Sequence, residues 1–320
     1  MQIELELPVG FLEPEFRDGF YVDEKRKKIW AVELDLLKKF SDVCEKNNLS
    51  YYLDGGTLLG AIRHQGFIPW DDDVDVIMPR KDYDKLWEIA EKEFSYPYFF
   101  QTSMSEEGFF RTHAQLRNSS TTGVVLIDAE KPQINKGIWL DVFVLDGVAD
   151  GWIARKLQRR KIQRVKTRLK YAYDTKEEEL SGIQKIKYQK AQKYFKNHSF
   201  KELFNYFNHK VLGAYSSKKT KWVGDITLKW RPNCQWPSVY YDGYFYLDFE
   251  CLKLRAPLFA CEVMTRQYGN FMKMPADVSN IRNTHGNAIF DPDTPYREFD
   301  IDAYFEMLRE EQSLIEEEQV

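Results

Sequence analysis

Cysteine is scarce in this 320-residue chain: Cys44, Cys234, Cys251 and Cys261 stand far apart and none forms a Cys-x-x-Cys pair. The usual zinc and redox signatures are therefore missing, and the four thiols are expected in the core. Long apolar runs are missing too, since none approaches the roughly 18 residues that a membrane-spanning helix needs. The start, Met1-Gln2-Ile3-Glu4-Leu5-Glu6, carries acids where an export signal has a basic start and an apolar stretch, which predicts a cytoplasmic protein. Charge of one sign is also lacking. The 46 Lys and Arg face 50 Asp and Glu, a balance that speaks against nucleic acid as a partner. Repeats and low-complexity tracts are absent, and only the acid-rich end, Glu316-Glu317-Glu318, is expected to fray. Apolar material is plentiful at 43% of residues, enough for a sizeable core in one large domain or two modest ones.

The near-zero balance hides an asymmetry. Arg155 to Lys201 holds 16 basic residues against 4 acidic, so the remainder is acidic by 30 against 46. Within it, Arg155 to Lys170 has nine Lys or Arg and no acid, while Ile153, Leu157, Ile162, Val165 and Leu169 recur at roughly helical spacing. This predicts a basic amphipathic helix, followed by a second helix from Glu177 to Lys196. Upstream, Ile29, Val32, Leu36, Leu37, Phe40, Val43 and Cys44 mark an amphipathic helix ending near Asn47-Asn48. Tyr51-Tyr52-Leu53 reads as a strand, Thr57 to Ile62 as the first turns of a helix, and Val74 to Met78 as a second strand. Lys81 opens a helix toward Glu93, and Ile138 to Val144 is another strand, with Asp146 expected in the turn after it. Strands and helices mixed in this way predict an α/β or α+β core.

Asp71-Asp72-Asp73-Val74-Asp75-Val76 carries the most chemistry. A strand puts alternate side chains on one face, so Asp73 and Asp75 are expected side by side. Such a pair repels itself unless a cation neutralises it, and hard oxygen ligands suit Mg²⁺ or Mn²⁺. A solvated acidic turn is the plainer alternative, but Phe67, Ile68 and Trp70 before it and Val74, Val76 and Ile77 after it are poor company for one. Asp54-Gly55-Gly56-Thr57 is a glycine turn at a helix start, where backbone N–H groups can meet an anion. Asp141, flanked by Trp139, Leu140, Val142 and Phe143, offers a third carboxylate that would be costly to bury unpaired.

The run from Tyr52 to Tyr83, with Asp-Gly-Gly-Thr-Leu-Leu-Gly-Ala-Ile-Arg-His-Gln-Gly-Phe-Ile-Pro-Trp-Asp-Asp-Asp-Val-Asp at its centre, resembles the LicD family of phosphorylcholine transferases, which is related to fukutin. Trp139 to Gly147 is similar to the family's second motif. Tyr268 to Pro275 resembles a third, although Asn270 stands where relatives commonly carry Asp. The resemblance implies a nucleotidyltransferase-like mixed β-sheet core flanked by helices, and the basic segment, which matches none of its motifs, reads as a helical insertion. In residue terms it implies a catalytic core over 1–150, the insertion over 151–205 and a C-terminal part over 206–320 that completes the substrate site. It further implies transfer of phosphocholine from CDP-choline to a hydroxyl of a teichoic acid or lipopolysaccharide-type precursor, releasing CMP. Asp73, Asp75 and Asp141 are then both catalytic and metal-binding, with Mg²⁺ or Mn²⁺ as cofactor and Asp141 the leading candidate to take the acceptor proton.

Gly55, Gly56, Thr57, Arg63, His64 and Arg117 are expected to bind substrate, with Arg80, Arg111 and His285 as further candidates. Trp70, Trp139, Tyr240, Tyr241 and Tyr244 are candidates for a choline cage. The acceptor is expected to be lipid-linked or an oligosaccharide. The basic segment 155–201 is expected to meet an anionic membrane surface, which would place the protein peripherally at the inner face of the membrane. Transfer of another alcohol phosphate, such as ribitol phosphate, and a catalytically idle nucleotide- or metal-binding relative are the alternatives.

Overall fold

The computed structural model describes residues 1–131, 133–173, 177–216, 219–227, 232–275, 277–278 and 288–307. His285 and the 316–318 end lie outside the described residues. Two short strands, β1 (Glu15–Arg17) and β2 (Phe20–Val22), pair antiparallel and lead into helix α1 (Glu24–Lys46). Asp23 caps α1, its carboxylate accepting from the Arg26 amide at 2.7 Å, and the helix stops at Asn47, close to its expected end. The sequence predicts one apolar face for α1. The structure buries its middle on nearly every side, Glu33 and Asp35 included, because sheet and surrounding segments wrap it.

Strand β3 (Tyr52–Leu53) runs into helix α2 (Gly55–His64), which begins two residues before Thr57. Strand β4 (Asp75–Pro79) follows and passes at once into helix α3 (Arg80–Glu93). Strands β5 (Tyr98–Gln101), β6 (Ala114–Asn118), β7 (Thr122–Val125) and β8 (Ile138–Val148) complete the first half. β8 is the organising strand. It pairs parallel with β4 and antiparallel with β6, and Val76, Ile77, Met78, Leu140 and Val142 are fully buried in the main core. Asp146 lies inside β8, which runs past the end expected at Val144. The strand continues there because Arg80 neutralises and hydrogen-bonds the Asp146 carboxylate.

Helices α4 (Trp152–Tyr173), α5 (Gly182–Phe195) and α6 (Phe200–Asn205) form the basic lobe, followed by a π-helical turn at Tyr206–Leu212. α5 starts later than expected, after a separate 3₁₀ turn at Glu177–Glu179. Ile162, Val165 and Leu169 of α4 pack with Leu203, Phe204, Phe207 and Val211 in a second apolar cluster. Strand β9 (Trp222–Gly224) pairs with the last three residues of β8 and with β10 (Gln235–Pro237). A hairpin of β11 (Tyr244–Phe249) and β12 (Leu252–Pro257), helix α7 (Ala260–Tyr268) and strand β13 (Ala288–Asp291), paired with β7, finish the described fold. The architecture is mixed α+β, one of the two classes that the sequence predicts. Two of the four cysteines depart from expectation: Cys251, in the β11–β12 turn, and Cys261, on the outer side of α7, are exposed, while Cys44 and Cys234 are buried.

Candidate active site

The parallel register of β4 and β8 puts Asp75 directly opposite Asp141, and the Asp141 amide donates to the Val74 carbonyl at 3.0 Å. Asp73 lies in the extended residues just ahead of β4 rather than inside a strand, yet its charge acts strongly on Asp75. Burial first, then Asp73 and Asp141, hold the Asp75 carboxyl well above its ordinary value. Carboxylate oxygens of Asp71, Asp72 and Asp73 also lie within 4.8 Å of one another, a grouping able to hold a metal ion.

The start of α2 closes this acidic pocket. A Cβ on Gly56 would stand 2.5 Å from Asp71 Oδ2, and one on Gly55 would stand 2.7 Å from Asp75 Oδ2. Gly55 also has φ +53°, so both space and backbone conformation require glycine there. Thr57 Oγ1 accepts from the Asp75 amide at 2.7 Å, and the Asp54 amide donates to the Asp75 carbonyl at 3.1 Å. The glycine turn thus brings the positive end of α2 against the carboxylates themselves.

Asp141 sits in the opposite environment from Asp75. Burial pushes its carboxyl up, but donation from His113, Gln115 and Trp139 outweighs that and holds it below its usual value. Gln115 Nε2 reaches Oδ1 at 2.8 Å, Trp139 Nε1 reaches Oδ2 at 3.0 Å, and His113 Nε2 lies 3.1 Å from Oδ1. Behind Gln115 stands Arg117. It is buried, donates to Gln115 Oε1 at 2.6 Å, to Gln101 and to the carbonyls of Gly123 and Gly137, and burial lowers its pKa to about 10. The structure therefore places Arg117 behind the site, acting on Asp141 through Gln115.

Other expected phosphate ligands are also committed elsewhere. Arg80 is clamped to Asp146 by two 2.8 Å bonds, and Arg111 to Asp128 at 2.5 Å. Arg63 and His64 lie at the far end of α2 from the glycines, lining a polar cavity of about 510 Å³ with Arg17, Asp18 and Glu250. Burial and Arg63 lower the His64 pKa to about 4, so its ring is neutral at pH 7. Among the proposed cage aromatics, Trp139 is spent on Asp141 and stacks on Phe290, while Trp70 packs edge-on against Phe20. Tyr240 stacks on Phe259, Tyr244 lies under Arg255, and Tyr241 is buried between Tyr52 and Trp236.

Three residues at the site escape sequence reasoning. Glu33 of α1 is 1% exposed, neither carboxylate oxygen has a hydrogen-bond partner among the described residues, and burial followed by Asp73, Asp72 and Asp71 raises its pKa strongly. The only signal is an acid within the apolar stretch Trp30 to Leu37. His113, ahead of β6, has none. Tyr268 closes α7 and is 46% exposed, yet partial desolvation and then Asp54, Asp75, Asp71 and Asp73 raise its phenol; its position in the third motif is its one signal.

Residues 48–144, which contain the whole carboxylate cluster of β4 and β8, match the LicD/FKTN/FKRP nucleotidyltransferase domain family. That stretch is where the chain is similar to the LicD family. The chain is 28% identical over 251 residues to the lipopolysaccharide cholinephosphotransferase LicD of Haemophilus influenzae, covering 76% of this chain and 90% of that protein. An uncharacterised protein of Rickettsia prowazekii is 46% identical over 54 residues, 17% of this chain and 20% of that protein. One from Rickettsia typhi is 49% identical over 47 residues, 15% of each. The LicD-type match and the carboxylate cluster coincide in sequence, since the match begins before β3 and ends within β8.

Proposed function

We propose that this LicD-like phosphotransferase moves phosphocholine from CDP-choline to a hydroxyl of a surface-glycan precursor and releases CMP. The observation that carries this reading is the register of Asp75 against Asp141, with the glycine start of α2 closing over them. Asp75 and Asp141 side by side in register, with Asp73 acting on Asp75 from just ahead of β4, fit a divalent cation. Asp73, Asp75 and Asp141 would hold Mg²⁺ or Mn²⁺, which when bound supplies neutralisation of diphosphate charge.

The chain's own groups divide the remaining work. Asp141, fixed by Gln115, Trp139 and His113, stays an anion of set orientation. One carboxylate of the Asp75–Asp141 pair takes the proton that leaves the acceptor hydroxyl. The acceptor oxygen forms a bond to the phosphorus that carries choline, and the bond from that phosphorus to CMP breaks. The acceptor is a teichoic acid or lipopolysaccharide-type precursor, lipid-linked or a free oligosaccharide. The basic segment 155–201 draws the protein to an anionic membrane surface from the cytoplasm, and no helix among the described residues is long and apolar enough to cross a membrane.

The test is CMP release from CDP-choline with a glycan precursor, with and without Mg²⁺, for the wild type and Asp75→Asn. We expect metal-dependent CMP from the wild type and background from the variant. Release from CDP-ribitol but not CDP-choline would replace choline by another alcohol, and silence across CDP-alcohols would return the chain to the idle-relative reading.

A further inference from the structure

Helices α4 and α5 lie against each other and enclose a cleft of about 440 Å³ on the basic lobe. Arg164, Thr167, Arg168 and Tyr171 face it from α4 at positions i, i+3, i+4 and i+7, the spacing of one helix face, and Lys187 and Lys190 face it from α5. No described acid lines it. Glu177, a nearby carboxylate, stands 3.9 Å from Lys185, and Glu202 is held in the capping box of α6. Among the described residues, four cations face one cleft with no carboxylate lining it, an arrangement whose self-repulsion an anion in the cleft would relieve.

The cleft also has a built wall. The Arg168 guanidinium carbon lies over the Tyr194 ring, 4.4 Å from its centroid, Tyr171 meets Tyr188 edge-on at 6.1 Å, and Gln192 Nε2 donates to the Tyr171 carbonyl at 3.0 Å. An oriented guanidinium presents paired N–H groups that match phosphate oxygens, with lysine ammonium groups as point charges beside it. The volume exceeds that of a bare phosphate and falls within the range of small-molecule sites, about 300–1,000 Å³. The lobe has its own apolar cluster, separate from the core under the carboxylates.

We propose that the α4–α5 cleft binds the phosphate end of a phosphomonoester or diphosphate, at a site distinct from the carboxylate cluster. This goes beyond the transferase reading and holds for any donor used there. It also differs from diffuse attraction of the basic segment to a surface, because it depends on residues of one cleft.

The experiment is titration of the full chain with inorganic pyrophosphate by calorimetry. Arg164→Gln/Lys187→Gln removes two exposed cleft charges while leaving the Arg168–Tyr194 contact. Lys156→Gln/Arg159→Gln removes two exposed charges from the first half of α4, outside the cleft. Loss of two charge-assisted contacts should raise Kd for the cleft variant about tenfold or more, and the control variant should stay within about twofold. Absence of pyrophosphate binding by the wild type, or equal weakening in both variants, overturns the site. Co-sedimentation with phosphatidylcholine vesicles carrying phosphatidic acid then identifies the source. Selective loss by the cleft variant supports a lipid-borne phosphate, and retention together with weakened pyrophosphate binding supports a soluble one.

Discussion

His113 reaches Asp141 and touches none of the other cluster carboxylates in the contacts described, so its effect is to aim that carboxylate. Replacing His113 by Gln should lower kcat about 10- to 100-fold with little change in KM for the donor, as for other groups that orient a ligating side chain. Steady-state kinetics would check the split; an equal rise in KM would mean that His113 contacts substrate. Glu33 sets a different test. A carboxyl whose pKa is raised on folding supports the fold below its ordinary range and loses that support as pH rises through the raised value. Wild-type stability should therefore fall relative to Glu33→Gln between pH 5 and pH 8, measured as Tm without added divalent cation. A constant difference across that range would remove Glu33 from the electrostatics of the site.

At the scale of elements, α2 and β4 act as one unit because glycine lets helix and acids touch. A methyl on Gly56 would meet Asp71 Oδ2, and helix, carboxylate or both must move. We expect Gly56→Ala to cost about 1–3 kcal/mol in urea unfolding, the usual penalty of overpacking, and to reduce CMP release by more than its stability loss explains. The α1 helix contributes at the same scale: Arg26 Nη1 and Trp30 Nε1 donate to the Asp71 carbonyl at 2.6 and 3.1 Å, so the acidic segment is pinned from its backbone. Sequence spacing makes the Asp run and glycine turn legible, since both rest on neighbours in the chain. Glu33 and His113 are not legible, because α1 and the β6 approach meet the site only after the sheet has formed.

The whole molecule is joined by a buried ion pair. Arg80 opens α3, grips Asp146 of β8 with two 2.8 Å bonds and reaches Asn208 Oδ1 in the π-helical turn at 2.6 Å, linking the sheet to the basic lobe. Arg80 is 2% exposed and Asp146 fully buried. Asp146→Asn should destabilise by about 3–5 kcal/mol by leaving the buried guanidinium with Asp84, at 3.3 Å, as its charged partner, while Arg80→Met/Asp146→Leu should recover most of the loss. Chemical unfolding of the three proteins measures this, and a double variant no better than the single one would show that the charges themselves are required.

By itself the sequence determined the mixing of helices and strands, the acidic run, the glycine turn and the basic helical segment, because each is written in local periodicity, spacing or charge. Only the tertiary structure decided that Arg117 and Arg80 are interior clamps, that Asp146 belongs to a strand, and that Asp75 and Asp141 face each other with donors gathered on Asp141. Those properties depend on burial and on partners up to 128 residues away, as between Arg80 and Asn208, and neighbours in the chain carry no record of either.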